Sequence, residues 1–156
     1  MQIELAFYPD IELKIKDAED NNANQIRQIE EFIAEGVDLL IVSPNESEPL
    51  TTIIEKVFNS GIPVILVDRL INSEAYTAYI GGNNYEIGEE AGKYAARLLK
   101  GKGKIVEITG LEGSSPAVER EKGFKDVLQK YPQIKIIKSV SGDWNYSKAR
   151  TVMQEV

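Results

Sequence analysis

The chain has 156 residues, 42% of them hydrophobic and 28% charged, with a formal net charge of −7. That length suits one ordinary domain or two small lobes, and the acidic balance opposes nucleic acid or anionic membranes as main partners. There is no Cys and no His, which excludes thiol catalysis, Cys/His zinc sites and imidazole general bases. No apolar run approaches the roughly 20 residues of a membrane-spanning helix.

Met1 to Tyr8 carries Ile3 and Phe7 at helical spacing before Pro9, and reads as the tail of a helix rather than a signal peptide. Ile11, Leu13 and Ile15 alternate with Glu12, Lys14 and Lys16, the pattern of a half-exposed strand. Asp20-Asn21-Asn22 supplies caps for a helix whose Ile26, Ile29, Phe32 and Ile33 share one face, with Gly36 as its left-handed stop. Val37 to Val42 predicts a buried strand ending at Ser43-Pro44. The next helix takes Ser47 as its cap and Pro49 in its first turn, with Ile53, Ile54, Val57 and Phe58 inward.

Gly61 ends that helix, and Ile62-Pro63-Val64-Ile65-Leu66-Val67-Asp68-Arg69 follows. Its apolar, β-branched run predicts a strand buried on both faces that stops at an acid and a base. In an open parallel sheet, ligands bind beyond the carboxyl ends of strands, so Asp68 and Arg69 are site candidates. A salt-bridged strand terminus is the plain alternative.

Ala78-Tyr79-Ile80 is a short strand, and Gly81-Gly82-Asn83-Asn84 caps a helix of Ile87, Ala91, Tyr94, Ala95 and Leu98. The spacing of Gly88, Ala91, Gly92 and Ala95 predicts tight contact between that helix and a sheet. Gly101-Lys102-Gly103 is the clearest boundary signal, and it divides the chain into residues 1–100 and 101–156. Beyond it come a strand at Ile105–Ile108, a helix from Val118 to Tyr131, a strand from Ile134 to Val140 and a helix from Tyr146. This alternation predicts an α/β fold with parallel sheets and covering helices.

Gly110-Leu111-Glu112-Gly113-Ser114-Ser115 lies between a strand and a helix. It lacks the spacing of a Walker loop or a dinucleotide fingerprint, and reads as a turn with serine caps. Arg120 falls in the first turns of the following helix, where a solvated charged face is the plain reading. The single Trp, Trp144, stands in the polar loop Gly142-Asp143-Trp144-Asn145, a better place for binding than for core packing. Charged side chains suited to bidentate hydrogen bonds, with a flat ring for an apolar sugar face, fit a neutral polyol. No nucleophile–base pair is present. Glu107 lies within a strand and Glu119 beside Arg120, which makes a hydrolytic carboxylate pair a poor reading.

At this point the chain resembles the type I periplasmic sugar-binding family, close to ribose-binding proteins and to the effector domains of lac-repressor-type regulators. The resemblance is carried by Asp20-Asn21-Asn22 through Glu30, Val37 to Pro44, Gly61 to Arg69, Gly82 to Gly88, Ala117 to Phe124, and Asp143-Trp144. It implies a periplasmic-binding-protein-like fold of two Rossmann-like lobes, here an N-terminal lobe over 1–100 and the start of a C-terminal lobe over 101–156. It also implies that Asp68 and Arg69 bind sugar from the first lobe, that Arg120 reaches from the second, and that Trp144 stacks on the ring. Ser43 stands where ribose binders carry Asn. Relative to the family, the chain opens inside the first helix, without the first strand, and ends within the second lobe. The expectation is therefore a fragment of a longer chain that, alone, is molten, aggregated or completed by another copy.

Function is then expected to be binding of a monosaccharide between two lobes, with no catalysis, cofactor or metal. The protein would be a solute-binding protein working with a membrane permease, or the extracytoplasmic sensor domain of a two-component histidine kinase, with a homodimer as a further partner arrangement. The alternative is the cytoplasmic effector domain of a transcription regulator. Gly101-Lys102-Gly103-Lys104 and the lack of His favour the periplasmic or extracytoplasmic reading.

Overall fold

The structure, a computed structural model, describes residues 7–155. Most of the helix tail read in Met1–Tyr8 therefore lies outside the described residues. Helix α1 (Asn22–Glu35) starts where the Asn21 side chain accepts from the Asn24 amide at 2.9 Å, and ends at Gly36 with φ +71°. Strand β1 (Leu40–Val42), helix α2 (Ser47–Asn59), strand β2 (Val64–Val67) and strand β3 (Ala78–Ile80) follow. They form a parallel sheet in the order β1-β2-β3, with Leu40 opposite Val64 and Leu66 opposite Tyr79. Helix α3 (Asn84–Leu98) leads to a second parallel pair, β4 (Lys102–Thr109) and β5 (Gln133–Ser141), joined by helix α4 (Ser115–Leu128). Helix α5 (Tyr146–Gln154) comes last.

The first core gathers Leu50, Ile54 and Val57 of α2 against Leu66 and Val64 of β2 and Ile29 of α1. Full burial of side chains of this size contributes about 1.5–3 kcal/mol each. Outward-facing Ile41 and half-buried Ile65 and Val67 show that β1 and β2 bury one face fully, not the two that their apolar runs predict. Phe58, expected inward, is 37% exposed, because the buried stripe of α2 runs through Leu50, Ile53, Ile54 and Val57.

Three other expectations change. Ile11–Lys16 forms no strand, since no ladder among the described residues includes it. A strand exists by pairing, and this segment is tied sideways to α1 by Lys14–Glu35 at 2.7 Å and Lys16–Glu31 at 2.6 Å. Ile11 and Ile15 are left exposed. Ser47 does not cap α2: Glu46 is the cap residue, and the Ser47 hydroxyl donates instead to the Leu70 carbonyl at 2.7 Å.

The third change concerns α3. Gly88 and Gly92 meet a helix and not a sheet, because α3 and α4 pack along their lengths, and Ala91 is exposed. Ala96 of α3 shares a core with Leu128 of α4 and Ile134 of β5. The Gly101 break is the left-handed turn, φ +79°, that closes α3 and feeds β4. Residues 84–98 thus pack against α4 and β5, beyond the Gly101 break, and not in the first core.

Candidate functional site

Strand β2 ends at Val67, and the next residue, Asp68, takes φ +64°, a left-handed conformation that side chains other than glycine seldom adopt. Its backbone is fixed on both sides: the amide donates to the Ile80 carbonyl at 2.8 Å, and the carbonyl accepts from the Tyr79 phenol at 3.2 Å. Arg69 Nε stands 3.9 Å from Asp68 Oδ2, with the Arg69 side chain 18% exposed and that of Asp68 66%. The guanidinium is held more firmly elsewhere, donating from Nη1 to the Asn45 carbonyl at 2.7 Å. A strand-end ion pair at this distance in water contributes little, so the Asp68 carboxylate remains open to accept from hydroxyl groups.

Ser43 follows β1, and its carbonyl accepts from Gln25 Nε2 at 2.9 Å. The same Gln25 side chain accepts from the Asn45 amide at 2.8 Å, so α1 clamps the turn from Ser43 to Asn45. Asn45 is buried; its Nδ2 donates to Asn22 at 2.9 Å, while its Oδ1 is buried without a partner among the described residues. Sequence reading missed Asn45, since a polar residue after a strand looks like any loop residue. Only its burial beneath Arg69 distinguishes it.

Arg120 extends from α4. Its Nε donates to the side chain of buried Asn84 at 2.9 Å, and its guanidinium carbon lies 5.6 Å from the centre of the Trp144 ring. That separation is within reach of a cation–π attraction. It makes Arg120 more than a member of a solvated charged face. Trp144 is 48% exposed, and its ring lies flat enough on Gly110 that a β-carbon there would be 2.1 Å from the indole. Asp143 and Trp144 both have positive φ, 51° and 56°. The loop is tied by Asp143, whose carboxylate accepts from Ser141 and Lys148; the Lys148 bond, then that of Ser141, holds the Asp143 carboxyl below the usual aspartate range. Arg120, Trp144 and Gly110 border a cavity of about 360 Å³ that Asp68 and Arg69 do not line, a volume at the lower end for small-molecule sites.

The two groups of residues are connected by Ser114 and Ser115, expected to be helix caps. Neither side chain caps α4. Ser114 Oγ donates to the Leu111 carbonyl at 2.7 Å and accepts from the Trp144 indole at 3.4 Å. Ser115 Oγ accepts from the Leu70 amide at 2.7 Å, one residue beyond Arg69. The structure therefore brings Arg120 and Trp144 together directly, and Asp68–Arg69 to their side through Leu70. Ser43 joins this arrangement only through Asn45. Nearby, burial raises the Glu119 carboxyl, and burial, then Glu119 and Asp68, raises the Tyr79 phenol.

Parallel sheets with covering helices, and polar side chains gathered past strand ends, define an α/β protein of the parallel-sheet class. The chain belongs to the periplasmic binding protein domain family, whose model matches residues 5–156. It is 34% identical over 148 residues to the galactofuranose-binding protein YtfQ of Escherichia coli (strain K12), covering 92% of this chain and 46% of that protein. It is 28% identical over 142 residues to the ribose import binding protein of Bacillus subtilis (strain 168), covering 91% of this chain and 46% of the other. Among solved structures, the fructose-binding periplasmic domain of a hybrid two-component system matches with 49% identity and a TM-score of 0.91, over 97% of this chain and 51% of that one. The chain spans about half the length of the curated relatives it matches. No helix among the described residues is long and apolar enough to cross a membrane.

Proposed function

We propose that the protein binds a monosaccharide in the cleft between its lobes and works outside the cytoplasm as a sugar sensor domain or a solute-binding protein. In this reading Asp68 and Arg69 hold sugar hydroxyls from the first lobe, Arg120 holds them from the second, and Trp144 covers the apolar face of the ring. Ser43 contributes a hydroxyl at the end of β1. The observation that carries the reading is the pairing of a half-exposed indole with the Arg120 guanidinium 5.6 Å away. A flat apolar surface beside a multivalent donor suits a carbohydrate, which presents C–H groups on one face and hydroxyls at its rim. Asp68 adds an acceptor with little engagement inside the protein.

Two observations support a furanose or ketose as the ligand class. Relatives are named for galactofuranose and fructose binding, and Ser43 is shorter than the Asn of ribose binders, which leaves more room on the first-lobe side. The sensor role is favoured over uptake by the higher identity to the two-component periplasmic domain, 49% against 28% for the ribose import binding protein. The transport and sensor relatives lend the effector-domain alternative no support. Titration calorimetry of the whole protein against fructose, galactose, ribose and arabinose tests the reading. Binding of at least one sugar with an affinity lost in Trp144→Ala is expected. Binding of amino acids or nucleotides alone would overturn it.

A further inference from the structure

Two hydrogen bonds meet at Leu70, and with a third they form a closed ring between the lobes. The Ser47 hydroxyl donates to the Leu70 carbonyl at 2.7 Å. The Leu70 amide donates to Ser115 Oγ at 2.7 Å. The Ser47 amide donates to the Gly113 carbonyl at 2.9 Å; Gly113 lies in the turn before α4, and Ser115 opens that helix. Ser47 and Ser115 are both buried, so these bonds are shielded from competing water. Gly113 has φ +81° and sits against Glu46, where a β-carbon would lie 2.7 Å from Oε2; the turn is shaped to reach the start of α2.

We propose that Ser115 is a positioning residue: its hydroxyl clasps the two lobes together at Leu70 and thereby sets how far the cleft is closed before any ligand arrives. The proposal rests on the sugar-binding reading for its effect on affinity, although the clasp itself does not. Ser115 sits one turn and a half before Arg120 on α4, and Leu70 directly follows Arg69. Fixing Leu70 to Ser115 therefore fixes the spacing between the polar groups of the two lobes. A ligand that binds the closed arrangement has an apparent affinity scaled by the fraction of molecules already closed. Loss of one buried hydrogen bond lowers that fraction by about two- to tenfold. Ser115 would tune affinity for every sugar alike while touching none of them.

The test uses Ser115→Thr and Ser115→Val in the whole protein. The two side chains have nearly the same volume, so any crowding is common to both and their difference reports the hydroxyl. Lys56→Cys on α2 and Lys130→Cys after α4, both exposed, carry a fluorescent donor and acceptor. In the absence of ligand, Ser115→Val is expected to show a longer mean label separation than Ser115→Thr. It is also expected to bind each sugar of the panel about two- to tenfold more weakly, with the order of sugars unchanged. Equal label separations in the two variants would overturn the clasp, as would a changed order of sugars. If the unsubstituted protein binds no sugar, the sugar reading falls, and the label separations still decide whether Ser115 joins the lobes.

Discussion

Gly88 of α3 faces the main chain of Arg120 so closely that a β-carbon on it would lie 2.1 Å from the Arg120 carbonyl oxygen. The relation is reciprocal, since a β-carbon on Gly123 of α4 would lie 2.1 Å from the Tyr85 carbonyl oxygen. The two helices thus touch backbone to backbone, and their approach sets where the Arg120 side chain leaves α4. Neither glycine is needed for an unusual φ; the requirement is space.

Gly88→Ala and Gly123→Ala are therefore expected to force the helices apart. Each should lower stability by about 1–3 kcal/mol or more, the usual cost of overpacking a close contact. Gly92→Ala, where the nearest atoms are Val127 Cβ at 2.9 Å and the Phe124 carbonyl oxygen at 3.1 Å, should cost less, because a smaller shift of the helices relieves those contacts. Denaturant unfolding of the whole protein measures the three. An equal cost at all three positions would show that the crossing is looser than its geometry.

Asp68 combines strained backbone with a free carboxylate, and substitution separates the two. Asp68→Gly relieves a left-handed conformation that costs a side-chain-bearing residue about 1 kcal/mol, so the thermal midpoint should hold or rise. Sugar affinity should fall by about 1–3 kcal/mol, through lost hydroxyl acceptors. Glu12→Ala, in the irregular exposed segment before α1, should leave both quantities unchanged. A variant Asp68→Gly that binds sugar normally would make Asp68 a turn residue and nothing more.

Trp144, the single tryptophan, reports on Asp143 next to it. The Lys148 and Ser141 bonds hold the folded Asp143 carboxyl below its unfolded value, which is about 4. The stabilising effect is thus fully present above about pH 4 and is lost as pH falls through the lowered folded value. Trp144 fluorescence is expected to stay constant from neutral pH to about pH 4, then change on further acidification before global unfolding. Asp143→Asn should show the altered fluorescence already at neutral pH. An identical acid profile in the two proteins would remove Asp143 from the support of the ring.

Glu119 has the opposite sign. Burial raises its folded carboxyl above the unfolded one, so the charged form weakens the fold at neutral pH, and the penalty disappears as pH falls below the ordinary glutamate range. Glu119→Gln should melt slightly higher than the unsubstituted protein at pH 7, with the gap closing as the pH is lowered. A gap independent of pH would trace the effect to packing instead of charge.

The elements themselves were legible in the sequence, because their signals are local. Asn21 and Asn83 cap α1 and α3 as expected, and Gly36 closes α1 in the left-handed conformation. The apolar runs at Leu40 and Val64 form strands, and the dipeptide Asp68-Arg69 lies at a strand end. The order of these signals along the chain was enough for the α/β fold, while the family rested on the resemblance of whole stretches such as Gly61 to Arg69. Partners were not legible. The hydroxyl of Ser115 meets an amide 45 residues away, Asn45 holds an arginine 24 residues away, and Gly88 admits a carbonyl 32 residues on. Nothing in a window of ten residues distinguishes a serine that caps its own helix from one that accepts from another lobe. Ile11–Lys16 makes the same point in reverse: alternation gives a chain the faces of a strand, but only a neighbouring strand supplies the hydrogen bonds that make it one.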